Sequence, residues 1–174
     1  MKNILTAVCL ATFLFASAAW SATPKVGEKA PMIDGINQDG KNWKLNELIG
    51  KKIVLLYFYP KDNTPGCTKE ACGLRDRMGD LTKDGVEVIG VSFDSVESHQ
   101  KFIKQYNLNF PLLADTDGKI ADAYGVRKEA GKNMARRVSF LIGKDGKIAH
   151  VTDSASADVH LAEMKEAIAS LSKK

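Results

Sequence analysis

The residues equipped for chemistry crowd into one short stretch, Pro60 to Asp76, which reads PKDNTPGCTKEACGLRD. Cys67 comes just after a polar loop and opens a run in which Ala71, Leu74, Met78 and Leu81 recur at the spacing of an amphipathic helix. Pro65 suits the first helical position, where its missing N–H has no partner to lose, and Thr64 stands where a cap belongs. Unpaired amide groups and the macrodipole at such a helix start favour an anion, here a thiolate. At pH 7 an ordinary thiol of pKa ~8.5 is about 3% ionised, whereas a pKa of about 6 gives roughly 90%, a shift of ~3.4 kcal/mol. The segment therefore predicts a reactive cysteine; its polar loop argues against the buried, inert thiol that a lone cysteine more often is. Cys72, five residues on, supplies a second thiol. Glu70 shares the Cys67 face of the helix, so its charge opposes the thiolate unless a cation pairs with it, and an arginine is the residue to do so.

Elements that position this segment are legible around it. Ile53 to Tyr59 (IVLLYFY) predicts a central strand buried on both faces, and Val86 to Ser92 (VEVIGVS) a second. The Asp94 to Glu97 spacing predicts a capping box that opens a helix with Val96, Phe102, Ile103 and Tyr106 inward. Pro111 demotes Phe110 to Ala114 to a short edge element. Lys119 to Tyr124 reads as a short helix. Arg137 to Ile142 and Lys147 to Val151 read as strands joined through the turn Lys144-Asp145-Gly146. A closing helix carries Leu161, Met164, Ile168 and Leu171. The order predicts a thioredoxin-like α/β fold, a central mixed sheet flanked by helices. Neighbours on a strand face opposite ways, so Arg136 is expected at the surface when Arg137 points inward.

Residues 1–21 read as a secretory signal rather than as part of the domain at 22–174. Lys2 is followed by the apolar run Ile4 to Ala19, then by small residues. The cut is expected after Ser21, with Ala18 as the rival position. Sixteen apolar residues fall short of the ~20 that span a bilayer, which argues against an uncleaved anchor. The chain should be exported, periplasmic in a Gram-negative cell, with Cys9 lost and no stable membrane association after cleavage. Of 174 residues 44% are hydrophobic and 26% charged, the balance of one folded domain. The formal charge of +4 is scattered in nothing longer than pairs such as Lys51-Lys52, so no nucleic-acid partner is expected. Three cysteines and three histidines without ligand spacing leave no metal site in view. His99, His150 and His160 all lie far along the chain from Cys67, so a Cys–His hydrolase is not expected.

The segment resembles the atypical two-cysteine peroxiredoxins of the bacterioferritin-comigratory-protein type, also called the Q-type. Pro60, Thr64 and Cys67 meet their pattern P-x-x-x-T-x-x-C, and Cys72 matches the resolving position. VGEKAP, LLADTDGKIADAYGV and RVSFLIGKDGKI extend the likeness over nearly all of residues 25–172. Met32-Ile33 departs from it, standing where the family more often has an acidic-aromatic pair. The resemblance implies that Cys67 attacks a peroxide and that Cys72 then closes an intramolecular disulfide. It also implies that Thr64 and Arg137 hydrogen-bond the sulfur and the peroxide, with Pro60 shaping the pocket and Glu70 beside it. Hydrogen peroxide and organic hydroperoxides would be substrates, a thioredoxin-like protein or another thiol the reductant, with no cofactor and a monomeric chain. Two further classes use the same residues: an exported thiol-disulfide oxidoreductase, which normally has Cys-x-x-Cys, and a secreted globule in which Cys67–Cys72 is a structural bridge.

Overall fold

The computed structural model describes residues 22–172, so the expected signal segment lies outside the described residues. Two short strands, β1 (Asp34–Ile36) and β2 (Asn42–Lys44), pair antiparallel ahead of the main sheet. That sheet has the order β5-β4-β3-β6-β7. Its centre is β3 (Ile53–Phe58), every residue of which is buried, as its unbroken apolar run requires. Parallel to it runs β4 (Val86–Ser92), which in turn pairs with the edge strand β5 (Leu112–Ala114). On the other side β6 (Val138–Ile142) and β7 (Ile148–Asp153) follow antiparallel. The fold is the thioredoxin-like mixed α/β arrangement.

Alternation along β3 splits the core in two. Val54, Leu56 and Phe58 face a cluster that includes Ile120, Ala121 and Tyr124, on or next to α3 (Lys119–Ala123). Leu55 and Tyr57 face the opposite cluster under α1 (Pro65–Lys83) and α4 (Ala157–Leu171), with Phe102 of α2 (Val96–Tyr106). Cys67 belongs to this second cluster, so its thiol is built into the core rather than set on the surface.

Three expectations need correction. Ser95, not Asp94, caps α2, its Oγ accepting the Ser98 amide at 3.3 Å. Asp94 is diverted into the active-site loop, where its Oδ2 accepts the Asp62 amide at 2.9 Å and the Ser92 hydroxyl at 2.7 Å. The inward face of α2 carries Phe102, Ile103 and Tyr106 as expected, but also the buried His99, while Val96 is only half-buried. Arg137 precedes β6 rather than opening it. The β1–β2 pair left no pattern to read, because strands of three residues cannot show an alternation.

Candidate active site

The loop from β3 to α1 is fastened from below. Asp62 is buried and takes the Tyr59 hydroxyl at 2.7 Å and the Ser98 hydroxyl at 2.8 Å. His99, fully buried, meets Asp62 Oδ2 at 2.9 Å through Nδ1 and the Leu113 carbonyl at 3.1 Å through Nε2. A carbonyl only accepts, so Nε2 donates, and one further proton is held in common between Nδ1 and the carboxyl. Removing one partner of such a buried pair is costly. His99→Phe is expected to lower unfolding free energy by about 3 kcal/mol in urea titration, and a loss below about 1 would show that the pair does not hold the loop.

At the start of α1 the Cys67 side chain is 1% exposed and Cys72 half-buried, both as thiols. Arg137, 8% exposed, donates from Nη2 to Cys67 Sγ at 3.2 Å, from Nη1 to Glu70 Oε2, and from Nε to the Ala155 carbonyl at 3.2 Å. One guanidinium thus serves both acidic groups, the cation that Glu70 needed. Gly66 leaves room for it: a Cβ there would stand 3.1 Å from Arg137 Nη2. Burial pushes the Glu70 carboxyl up to about 7, against the lowering pull of Arg137. Tyr57 packs in the same cluster, its ring stacked on Tyr59 at 5.4 Å. Beside Arg137 a cleft of about 260 Å³ opens between Pro60, Lys128, Arg136 and Asp153.

Thr64 is the backbone cap of α1, its carbonyl accepting the Thr68 amide at 2.8 Å, but its side chain does not cap. The hydroxyl turns back to donate to the Lys61 carbonyl at 3.0 Å, closing the loop in which Asn63 has φ 57°. The first-turn amides are therefore left without a side-chain partner next to the sulfur. Pro60 is half-buried at the loop entrance. Arg136 does point away from Arg137, yet it is more than a solvated charge: it pairs with Asp153 and reaches Thr23 and the Gly125 carbonyl. The distance of the histidines from Cys67 along the chain was misleading. His160 on α4 comes within 3.6 Å of Glu70 Oε1, a contact that only the packing of α4 on α1 creates. Among the described residues no group of three His, Cys, Asp or Glu could hold a metal ion.

Residues 26–151 match the model of the AhpC/TSA family. The chain belongs to that family. It is 45% identical over 141 residues to peroxiredoxin Bcp of Escherichia coli, covering 78% of this chain and 90% of that protein. Among solved structures it is similar to peroxidoxin BcpB of Mycobacterium tuberculosis, with TM-score 0.77, 35% identity, and 85% and 96% of the two chains covered. The bacterioferritin comigratory protein of Xanthomonas campestris, described in a study of alkyl peroxide reduction, gives TM-score 0.73 and 28% identity over 80% and 92% of the chains. The protein is a thiol-dependent peroxidase of the Bcp and PrxQ kind.

Proposed function

We propose that this peroxidase reduces hydrogen peroxide and organic hydroperoxides at Cys67, with Cys72 as the resolving thiol. The observation that supports it best is the Arg137 guanidinium bonded to both Cys67 Sγ and Glu70. The Cys67 thiolate attacks the terminal peroxide oxygen, the O–O bond breaks, and the departing oxygen takes a proton and leaves as water or an alcohol. Arg137 stabilises the thiolate and the charge that builds on the breaking bond. Pro60 and the uncapped first-turn amides bound the place where the peroxide sits, and Thr64 shapes it through its loop. Cys67 is left as a sulfenic acid; the Cys72 sulfur attacks it, water departs, and a disulfide forms. A thioredoxin-like dithiol returns both thiols. Peroxide consumption with a panel of purified dithiol donors tests the reading. Arg137→Met should slow the first, peroxide-dependent step by roughly tenfold or more, since a hydrogen bond to a charged group contributes ~1.5–3 kcal/mol. A wild-type rate in that variant would remove Arg137 from the chemistry.

Export completes the proposal: the Lys2, Ile4 to Ala19, Ser21 pattern supports a mature chain starting near Ala22 that works outside the cytoplasm. The reductant is then an exported thiol protein. Mass spectrometry of the exported fraction should find a chain beginning near Ala22, and an intact membrane-bound chain starting at Met1 would overturn export without touching the enzymology.

A further inference from the structure

Cys67 and Glu70 are two buried acidic groups that share one cation, and the mechanism so far leaves open what keeps them from competing. Glu70 Oε2 is taken by Arg137, while Oε1 faces His160 Nδ1 at 3.6 Å, too long for a hydrogen bond but close enough to be influenced by the polarity of that nitrogen. The ring of His160 is oriented without ambiguity. Its Nε2 lies 2.9 Å from the Ser154 carbonyl and must donate, and Nδ1 lies 2.7 Å from Ser139 Oγ. In the neutral ring Nδ1 then carries no proton; its lone pair accepts the Ser139 hydroxyl, and Glu70 Oε1 lies beside it. A lone pair repels a carboxylate oxygen and attracts a carboxylic acid proton.

We propose that His160 is a positioning residue for the reaction at Cys67: its Nδ1 lone pair, placed beside Glu70 Oε1, disfavours the ionised carboxylate and so leaves the Arg137 charge to the sulfur. The idea rests on the peroxidase reading above. Burial and the Arg137 charge both keep His160 neutral, and burial raises Glu70 to about 7. Glu70 is otherwise faced by Tyr57 from β3 and Cys67 from its own helix. His160 is faced in addition by Glu163 on α4 and Asp153 at the end of β7, which favour the charged ring but do not outweigh burial. Adjacent carbonyls of the short β7–α4 connection, Ser154 and Ala155, hold His160 and Arg137, so one loop positions both the cation and the lone pair.

Two variants should move the system in opposite directions. In Ser139→Ala the Nδ1 lone pair loses its competing donor and serves Glu70 alone, so ionisation of Glu70 shifts to higher pH. In His160→Asn the amide offers its oxygen to Ser139 and its NH₂ to Glu70 Oε1, so ionisation shifts to lower pH. Each shift should be about 0.7 unit, one hydrogen bond of ~1 kcal/mol. The readouts are the step near 7 in the pH profile of the peroxide reaction, and the infrared band of a protonated carboxyl in protein carrying isotope-labelled glutamate. The label separates Glu70 from Asp115, another buried acid, raised to about 6. Shifts in the same direction, or none in folded variants, overturn the proposal. Should a variant fail to fold, wild type decides: a glutamate carboxyl band at pH about 6 that vanishes above neutrality is required, and its absence refutes the role. The band needs no peroxide, so its presence in a protein that consumes none would sink the peroxidase reading alone.

Discussion

Cys67→Ser is expected to abolish steady-state peroxide consumption, leaving only the slow reaction of the reductant itself. A serine hydroxyl is scarcely ionised at neutral pH and has no sulfur lone pairs to accept an oxygen atom, so neither attack nor a sulfenic acid is available. The fold should survive, because the hydroxyl is smaller than the thiol and Arg137 can still donate to it from Nη2. Cys72→Ser should behave differently. Its Cys67 keeps Arg137 and the start of α1, and it should consume one equivalent of peroxide per chain and then stop, as a sulfenic acid open to overoxidation. An external thiol should rescue it. Stopped-flow peroxide consumption and intact-protein mass separate the two. Activity in Cys67→Ser with none in Cys72→Ser would reverse the order of the thiols. A thiol-disulfide oxidoreductase would instead lose disulfide exchange in both variants and show no peroxide burst in either.

How much of this could be read beforehand follows from the range of the interactions involved. The core strands were legible because β3 is buried along its whole length and β4 everywhere but Glu87, and that leaves an apolar run in the sequence. The start of α1 was legible because Pro65 and the stripe of Ala71, Leu74 and Leu81 are local signals. The site was legible at Cys67, and Glu70 advertised an unmet charge. Arg137 answers that charge, but it stands 67 residues away and was picked out by family resemblance. His160 lies outside any local pattern. It meets Glu70 because α4 packs on α1, and no spacing along the chain encodes that. The Thr64 side chain failed for a subtler reason: its hydroxyl can accept a first-turn N–H as a cap or donate to a loop carbonyl, and here it donates to Lys61 across the turn at Asn63.

In the oxidised protein the first turns of α1 are expected to be unwound as far as Gly73 and intact from Leu74 onward. At about 1.5 Å rise and about 100° per residue, positions i and i+5 lie roughly 8.7 Å apart and point about 140° away from each other. A disulfide needs Cα atoms within ~7 Å and facing Cβ atoms, so Cys67 and Cys72 cannot join on the helix that now holds both. The burial pattern says where the break falls. Up to Gly73 the only buried residues of α1 are Cys67, Glu70 and Ala71, whereas Leu74 and Leu81 anchor the remainder. Freeing the first part exposes one methyl group, at ~0.8 kcal/mol, and one thiol, and it separates the Glu70 carboxyl, which burial pushes up to about 7, from Arg137. The links to α4 in this part are the exposed Lys69–Asp158 pair, which contributes little, and the contact of Glu70 with His160. At its end Leu161 sits over Gly73 so closely that a Cβ there would meet it at 2.5 Å, and beyond it Arg75 holds the Tyr106 carbonyl and Arg77 the Leu161 carbonyl. Amide hydrogen exchange should therefore rise by orders of magnitude at 67–73 on oxidation and stay unchanged at 76–83. Equal protection of 67–73 in the two states, with the Cys67–Cys72 bond verified by mass, would falsify the unwinding. Loss extending through residue 83 would show instead that Leu74 and Leu81 do not anchor the helix, and that resolution melts α1 as a whole.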